Sequence, residues 1–499
     1  MEFLISSIRF IGIIFLVIVV FNLMIVVHEW GHFLAAKWRG LKIEKFYVWF
    51  GKPLWKKTIN GVEYGLGCIP AGGFVALPQM APMDAIEGPT EEKRDKLPPI
   101  SSLDKIIVAI AGPLFSFGLA CFFAVLVWHF GKPESEGSTT TEIGYVAKDS
   151  AAEKAGLKPG DNIKFIDGKP VRSFGGLVDS VRWLVVASEG ENISFTIERD
   201  GKLLPPIPVK AEKPEQDKNM SWWKSIFARP PFREVGILGR DTPMVAALIE
   251  DKQYNPAAIA GIKPNDLLIA VDDIPIRGVR QLGEYIQDHP EKTLSIQLQR
   301  GQETKTVQVT PRVPDERPKG FEKAMIGISW DLDGRRIPSH PTPWAQVRDA
   351  GRTMFQTIRA VFSSKSDVGA QHLSGFIGIT RVYYSLFQDK YGWLLVLWFS
   401  VVLNINLAIL NMLPFPVLDG GHITMAVIES IRRRPINIRV LEVVQTACVL
   451  LIFGFMIFVS IKDTGDIFGA GQKSERQSKS DDLKKDQKTL YRFTAPVAK

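Results

Sequence analysis

The sequence predicts an α+β polytopic membrane protein, in which four transmembrane helices form the core and two copies of a small α/β module are inserted between the second and third helix. Four apolar runs with almost no charged residues are long enough to cross a bilayer, since a helix needs about 20 such residues to span about 30 Å of hydrocarbon. A sequence pattern also returns after 105 residues, which indicates a repeated domain. Strands and helices should therefore both be present, in separate parts of the chain.

The limits of the apolar runs give the four spans. We expect them within residues 1–34, 103–130, 391–413 and 440–461. The intervening segments are polar or mixed, and the hydrophobic residues that make up 46% of the chain concentrate in these runs. A membrane protein is therefore favoured over a large soluble enzyme.

Basic residues in the short loops predict the orientation. The loop 35–102 and the loop 414–439 carry clusters of Lys and Arg, which accumulate on the cytoplasmic side of membrane proteins. The segment between the second and third span should then lie outside the cytoplasm. The tail 462–499 follows on the same side, and its mixed charges predict a disordered segment.

Composition excludes several classes of protein. The 61 Lys and Arg residues stand against 53 Asp and Glu, with both signs mixed, so we expect no nucleic-acid partner. Three cysteines without a C-x-x-C pair exclude a disulfide scaffold and a thiolate zinc ribbon.

The repeated pattern A-G-L-x-x-G-D-x-I-x-x-I-D-G begins at Ala155 and returns, with small changes, at Ala260. Each copy has a short helix, a Pro-Gly-Asp or Pro-Asn-Asp turn, an apolar strand and a tight hairpin. The pattern resembles the PDZ domain, with copies expected at 140–235 and 243–313. That resemblance implies a groove for extended peptides, and a rigid spacer is the alternative.

The linker 314–390 contains an amphipathic segment. Apolar residues recur at helical spacing from Trp344 to Phe362, with arginines on the other face. This pattern predicts a helix lying on the membrane surface, and docking against one of the repeats would use the same apolar face.

A metal-binding pattern stands at the end of the first span. In His28-Glu29-Trp30-Gly31-His32, the two histidines are four residues apart and project from one face of a helix. Both can bind one zinc ion while Glu29 reaches its bound water. Such residues are unfavourable in lipid and normally face a protein interior with a function. Snorkelling of the three side chains to the headgroups is the alternative.

The third ligand of a catalytic zinc must come from elsewhere in the chain. After the third span, Pro414 and Pro416 end the helix and place Asp419 near the depth of His32. Asp419 is therefore the best candidate, and His422 competes with it. Asp419 as an ordinary turn residue before Gly420 is the remaining alternative.

The stretch Val62–Leu77 predicts a β-hairpin whose edge could pair with an unwound substrate segment by strand addition. An ordinary cytoplasmic hairpin is the alternative. The candidate substrate-binding residues on this edge are Gly72, Gly73, Phe74 and Val75.

Three features together resemble the site-2 protease family of intramembrane zinc metalloproteases, in its bacterial branch with two PDZ domains and a membrane-reentrant hairpin. They are H-E-x-x-H in the first span, the run N-x-x-P-x-P-x-L-D-G from Asn411 to Gly420, and the PDZ pair. The resemblance implies one Zn²⁺. The roles it implies are His28, His32 and Asp419 as metal ligands, Glu29 as catalytic acid/base, and Asn406 and Asn411 as contacts to the substrate backbone.

The resemblance also implies a function and a location. We expect cleavage of transmembrane segments of single-span proteins of the anti-sigma-factor type, as in regulated intramembrane proteolysis, and of remnant signal peptides, in contact with membrane lipid. The location implied is the bacterial inner membrane, with periplasmic PDZ domains. One rival hypothesis is a membrane-anchored PDZ scaffold that binds unfolded envelope proteins without catalysis. A zinc hydrolase of other substrates is a second.

Three elements depart from the family pattern. Trp49 precedes Phe50-Gly51 where the family has G-F-G, Ser116 replaces Asn in A-G-P-x-x-N-F, and Phe376 replaces Pro in S-G-P. We expect none of them to touch the metal ligands.

Overall fold

A computed structural model describes residues 2–80, 97–98, 100–214, 221–249, 253–318, 320–331, 336–434, 438–467 and 491–493. Helices and sheets are both present, which confirms a mixed fold with several apolar helices.

In the described part of the chain, the long helices lie towards the two ends of the sequence and most of the strands lie between them. The helices are α1 Glu2–Trp38, α2 Ser102–Phe130, α3 Glu136–Thr139, α4 Ala151–Lys154, α5 Val181–Val186, α6 Trp222–Phe227, α7 Pro256–Ile259, α8 Val279–Asp288, α9 Pro343–Phe362, α10 Phe376–Gln388, α11 Gly392–Asn411, α12 Asp419–Arg432 and α13 Ile438–Ile467, with a 3₁₀ turn at Ala370–His372. The strands are β1 Lys45–Ile59, β2 Val62–Ala76, β3 Lys132–Ser135, β4 Ile143–Val146, β5 Asn162–Ile166, β6 Lys169–Pro170, β7 Asn192–Arg199, β8 Lys202–Leu203, β9 Ile207–Lys210, β10 Ile237–Gly239, β11 Val245–Leu248, β12 Leu267–Val271, β13 Ile274–Pro275, β14 Leu294–Arg300, β15 Glu303–Val309, β16 Ile328–Trp330 and β17 Arg336–Ser339.

Four helices are long and apolar enough to cross a membrane, judged within the described part of the chain. They contain the stretches Leu4–Trp38, Ser102–Phe130, Gly392–Asn411 and Val443–Ile467. Their apolar side chains are largely exposed, as in Phe15, which is 63% exposed. Apolar surface of this extent matches the hydrocarbon of a bilayer better than water.

The chain divides into two compact units, and the first is built around α2. Its segments are 1–132, 339–356 and 373–464. Helix α2 packs against α1, α11 and α12. Helix α9 begins in this unit, where the Gln346 side chain donates a hydrogen bond to the Ala124 carbonyl of α2. The start of the predicted amphipathic helix therefore packs on an apolar helix.

The predicted hairpin is part of a larger one. Strands β1 and β2 form the hairpin, and its turn is Asn60-Gly61, where both residues have positive φ angles of 51° and 81°. Asn-Gly is the preferred pair for such a turn. Val62–Leu77 is thus the second half of the hairpin and not a hairpin by itself. In the whole hairpin, Phe46 of β1 pairs with Val75 on one side and with Tyr64 on the other, and both of these residues belong to β2.

The second unit contains two repeats with matching strand order. In the first, the order is β6-β5-β7-β8, with β9 also paired to β7, and in the second it is β13-β12-β14-β15. Each repeat has its own hydrophobic core, centred on Phe195 in the first and on Leu298 in the second, and both side chains are fully buried. The sequence repeat is therefore a structural repeat.

A buried carboxylate paired with an arginine recurs in both repeats, at the Pro-Gly-Asp or Pro-Asn-Asp turn inside the sequence motif. Asp161 accepts hydrogen bonds from Arg199 at 2.6 and 2.7 Å, and Asp266 accepts them from Arg300 at 2.7 Å each. Both carboxylates are only 1% exposed. Each pair ties the turn to the long central strand β7 or β14.

Most of the tail predicted to be disordered lies outside the described residues. Among the described residues of this tail, helix α13 continues to Ile467, and the rings of Tyr491 and Phe493 are buried.

We predict that Asp266→Ala destabilises the second repeat by about 2 kcal/mol, because Arg300 and the Lys263 amide lose their acceptor. A loss of about 2 kcal/mol corresponds to amide hydrogen exchange in β12 and β14 that is roughly 30-fold faster. Burial alone would raise the pKa of Asp266, but these hydrogen bonds outweigh it and lower the pKa. The stabilisation is thus present at neutral pH and disappears as the pH falls below about 3.9.

The control is Lys305→Ala, which removes an exposed ion pair with Glu303 at 2.8 Å and should leave exchange almost unchanged. Equal exchange in the wild-type and Asp266→Ala proteins would show that the turn is held by other contacts.

Candidate metal centre

Helix α1 brings His28 and His32 together within an apolar environment. The Nε2 atoms of the two rings are 3.3 Å apart, and His28 is only 7% exposed. The i, i+4 spacing places both rings on the face of α1 that packs against α2.

Asp419 joins the histidines from the first turn of α12. One carboxylate oxygen lies 3.3 Å from Nε2 of His28, and the other lies 3.3 Å from Nε2 of His32. The break after α11 positions this residue: a Cβ at Gly420 would lie 2.2 Å from the Met412 carbonyl oxygen, so α12 begins in contact with the end of α11.

The three side chains fit a tetrahedral zinc site. A tetrahedral ion with bonds of about 2.0–2.1 Å has ligand atoms about 3.3 Å apart. The two Nε2 atoms are 3.3 Å apart, and each of them lies 3.3 Å from one of the two Asp419 oxygens. One Asp419 oxygen is buried and accepts no hydrogen bond from the residues that the structure describes. A buried carboxylate oxygen without a donor is unfavourable unless a cation binds it. Two imidazoles and one carboxylate also form a common donor set for catalytic zinc.

Helix α2 fixes the orientation of both rings. Nδ1 of His28 lies 3.0 Å from the Ser116 hydroxyl, and Nδ1 of His32 lies 2.8 Å from the Val108 carbonyl oxygen. These contacts leave both Nε2 atoms directed at Asp419. A Cβ at Gly112 would lie 2.1 Å from Nε2 of His32, so only glycine fits beside that ring.

We expected that none of the three departures from the family pattern would touch a metal ligand, and this expectation is wrong for Ser116. Ser116 is fully buried and contacts His28 directly. Sequence reasoning missed this contact because 88 residues separate the two side chains. The sequence held one indication of this contact: Ser116 is a small polar residue near the middle of the apolar run of α2.

A cavity of about 250 Å³ opens beside the three ligands. Glu29 and Asn411 line it together with the strand edge Gly73, Phe74 and Val75. Asn411 Nδ2 lies 3.3 Å from Nε2 of His28. The three candidate ligands, the Glu29 carboxylate and a strand edge thus share one cavity.

Other predicted residues lie farther from this centre. In the described part of the chain, Asn406 and Gly72 are not among the cavity-lining residues. His422 lines the cavity but does not belong to the cluster that Asp419 forms with the histidines. Asn406 Oδ1 is buried and accepts no hydrogen bond within the described residues.

The family model for peptidase family M50 matches residues 16–455, a range that includes Glu29 and the three candidate ligands. The chain belongs to peptidase family M50. It is therefore a zinc metalloprotease and a membrane protein, and both predictions are confirmed.

Relatives of full length support this assignment. The chain is 26% identical to the regulator of sigma-E protease RseP of Salmonella typhimurium over 458 residues, with 88% of this chain and 96% of that protein covered. It is 27% identical to RseP of Escherichia coli over 458 residues, with the same coverage. It is 28% identical to a Vibrio cholerae protein described as a zinc metalloprotease over 465 residues, with 89% of this chain and 97% of that protein covered.

Among solved structures, the chain is similar to the PDZ domain of an SdrC-like protein from Listeria monocytogenes. The identity is 21%, with 19% of this chain and 94% of that one covered, at a TM-score of 0.16.

We predict that Ser116→Ala lowers the affinity for zinc about 10- to 100-fold, because His28 loses the partner that orients its ring. Competition with a chromogenic chelator measures this affinity on the purified protein. Gly118→Ala is the matched control, since a Cβ at that position of α2 meets no atom within 4 Å. Unchanged affinity in Ser116→Ala would mean that other contacts fix the ring.

Proposed function

We propose that this zinc metalloprotease cleaves transmembrane segments of single-span membrane proteins, using one zinc ion bound by His28, His32 and Asp419. The single observation that carries the proposal is the placement of three zinc-compatible side chains beside a strand edge, between helices whose apolar surfaces match a bilayer. A protease of soluble substrates would not require its metal site among such helices.

Glu29 serves as the proton carrier in this proposal. His28, His32 and Asp419 would hold a zinc ion, which would lower the pKa of a bound water to about 7 and polarise a peptide carbonyl. The Glu29 carboxylate lines the same cavity as these side chains, one residue from His28, and would accept a proton from water there. It then donates the proton to the leaving amine, so that one side chain acts as base and acid in turn.

The edge of the hairpin is proposed to hold the substrate backbone. In a transmembrane helix the carbonyl groups are engaged in internal hydrogen bonds, so the segment must unwind before attack. Residues Gly73–Ala76 pair with β1 on one side, and their other side borders the cavity with Glu29. Strand addition to this edge would replace the lost helical hydrogen bonds and extend the scissile peptide, with Gly72, Phe74 and Val75 completing the edge.

The amide of Asn411 is proposed to stabilise the oxygen that becomes negative in the transition state. It lies beside His28 and can donate a hydrogen bond into the cavity. Asn406 lies earlier on the same helix and would contact the substrate backbone farther from the cut.

Four spans and the basic short loops support an orientation with the segment 131–391, between the second and third span, outside the cytoplasm. The location proposed is the bacterial inner membrane, with the two PDZ repeats in the periplasm and lipid around the spans.

Relatives named regulators of sigma-E protease suggest anti-sigma factors as the substrate class, and remnant signal peptides would suit the same cavity. A scaffold without catalysis is not supported, because the family is a peptidase family.

We predict that Glu29→Gln abolishes cleavage of a single-span substrate while zinc content and folding stay normal, because only the proton carrier is lost. The loss should exceed 100-fold, measured by gel analysis of substrate cleavage with the purified protein. Glu198→Gln, which alters an ion pair on the surface of the first repeat, should cleave normally. A Glu29→Gln protein that retains more than a few per cent of the activity would contradict the assigned role.

A second prediction separates the two candidates for the third ligand. Asp419→Ala should lose zinc and activity, whereas His422→Ala should retain zinc, because only Asp419 places oxygens 3.3 Å from both histidine nitrogens. Metal analysis of both purified variants decides the matter. The reverse pattern would transfer the role to His422.

A further inference from the structure

Tyr491, Arg492 and Phe493 contact the loop that follows the sheet of the second repeat. The amides of Asp315 and Glu316 donate hydrogen bonds of 2.9 and 3.1 Å to the Arg492 carbonyl oxygen. The Arg492 amide donates one of 3.0 Å to the Glu316 carbonyl oxygen. The two segments pair as an antiparallel bridge. The contact therefore uses backbone groups in the manner of strand addition.

Side chains of the docked segment alternate between buried and exposed. Tyr491 is 4% exposed and Phe493 is fully buried, whereas the Arg492 side chain between them is 57% exposed. The ring of Tyr491 lies 4.9 Å from that of Phe321. An extended segment directs alternate residues to one face, so both aromatic rings enter the protein while the arginine faces solvent.

The receiving surface is a closed loop of the second repeat. Arg312 and Met325 pair with each other and close the loop, and Phe321 lies within it. We call residues 312–325 the aromatic-clasp loop. Because the repeat holds this loop at both ends, its backbone donors and its aromatic ring are in place before a segment binds.

A polar connection leads to the docked residues. Residues 468–490 include ten charged side chains, and the aromatic pair follows directly after them. Before this connection, Asp466 pairs with Arg229 at 3.0 Å, near the first repeat. A polar segment that ends in two buried aromatic residues has the composition of a tethered peptide ligand, since the aromatic residues supply the apolar contact and the tether supplies proximity.

We propose that the aromatic-clasp loop is a peptide-binding site for extended segments with aromatic side chains at alternate positions, and that the chain's own Tyr491–Phe493 occupies it. This site is separate from the metal centre and goes beyond the proposed protease function. The tether gives the internal segment an effective concentration in the millimolar range. A peptide of the same sequence therefore binds only when the tail is removed or altered.

The test uses the purified membrane protein with a stop codon after residue 485 and a fluorescent peptide of residues 486–499, with binding followed by anisotropy. Saturable binding to the shortened chain is expected, with binding to the full chain at least 10-fold weaker. Phe321→Ala in the shortened chain should weaken binding at least 10-fold. Equal binding to the full and shortened chains would overturn the proposal, as would an absence of binding to a shortened chain whose second repeat still shows protected β12 and β14 amides.

Two altered peptides test which side chains are recognised. A peptide with Tyr491→Ala and Phe493→Ala should not bind, whereas Arg492→Ala should bind within about threefold, because its ion pair with Glu316 is exposed and 3.8 Å long. Equal binding of the peptide without aromatic residues would overturn the proposal.

A second variant covers the case in which the shortened chain does not fold. The full chain with Tyr491→Ala and Phe493→Ala keeps its length and charge. It should show faster exchange of the Asp315 and Glu316 amides and should bind the wild-type peptide, which restores their protection. Unchanged exchange and no binding in this variant would overturn the proposal.

Discussion

Close contact between α1 and α2 determines the geometry of the metal centre. A Cβ at Gly31 would lie 2.5 Å from the Ala111 carbonyl oxygen, so the two backbones meet at the level of the histidines. At that distance Val108 and Ser116 reach the Nδ1 atoms of the two rings. Both Nε2 atoms then face Asp419, and a site for a cation forms inside an apolar helix bundle. A substitution that separates these helices would therefore remove the contacts that direct both Nε2 atoms at Asp419.

The strand edge beside this site places a second requirement on the fold. An unpaired edge normally invites aggregation, because its amides and carbonyls can pair with another chain. Here the edge Gly73–Val75 borders the cavity of the candidate metal centre. In the proposed function, the amides and carbonyls that would be hazardous on a surface hold an extended peptide beside the metal site. The hairpin would then contribute to catalysis through backbone hydrogen bonds.

Local spacing made part of the site predictable. His28 and His32 follow from the helical period, and Asp419 follows from the proline break that ends α11. Ser116 could not be placed because its contact depends on how two helices pack, and helix packing is set by many side chains together. The hairpin was misplaced for a different reason: the Asn60-Gly61 pair that forms its turn is present in the sequence, but Gly72-Gly73 is also a typical turn pair. The Asp161 and Asp266 ion pairs were not predicted, because their arginine partners lie 38 and 34 residues farther along the chain.

Cleavage by the purified protein in lipid vesicles tests the central claim most directly. A single-span substrate would be incubated with and without a chelator, and the cut position determined by mass spectrometry. The account predicts a cut inside the apolar segment, loss of cleavage in chelator, and recovery when zinc is restored. Cleavage that persists in chelator, or cuts only outside the apolar segment, would contradict it.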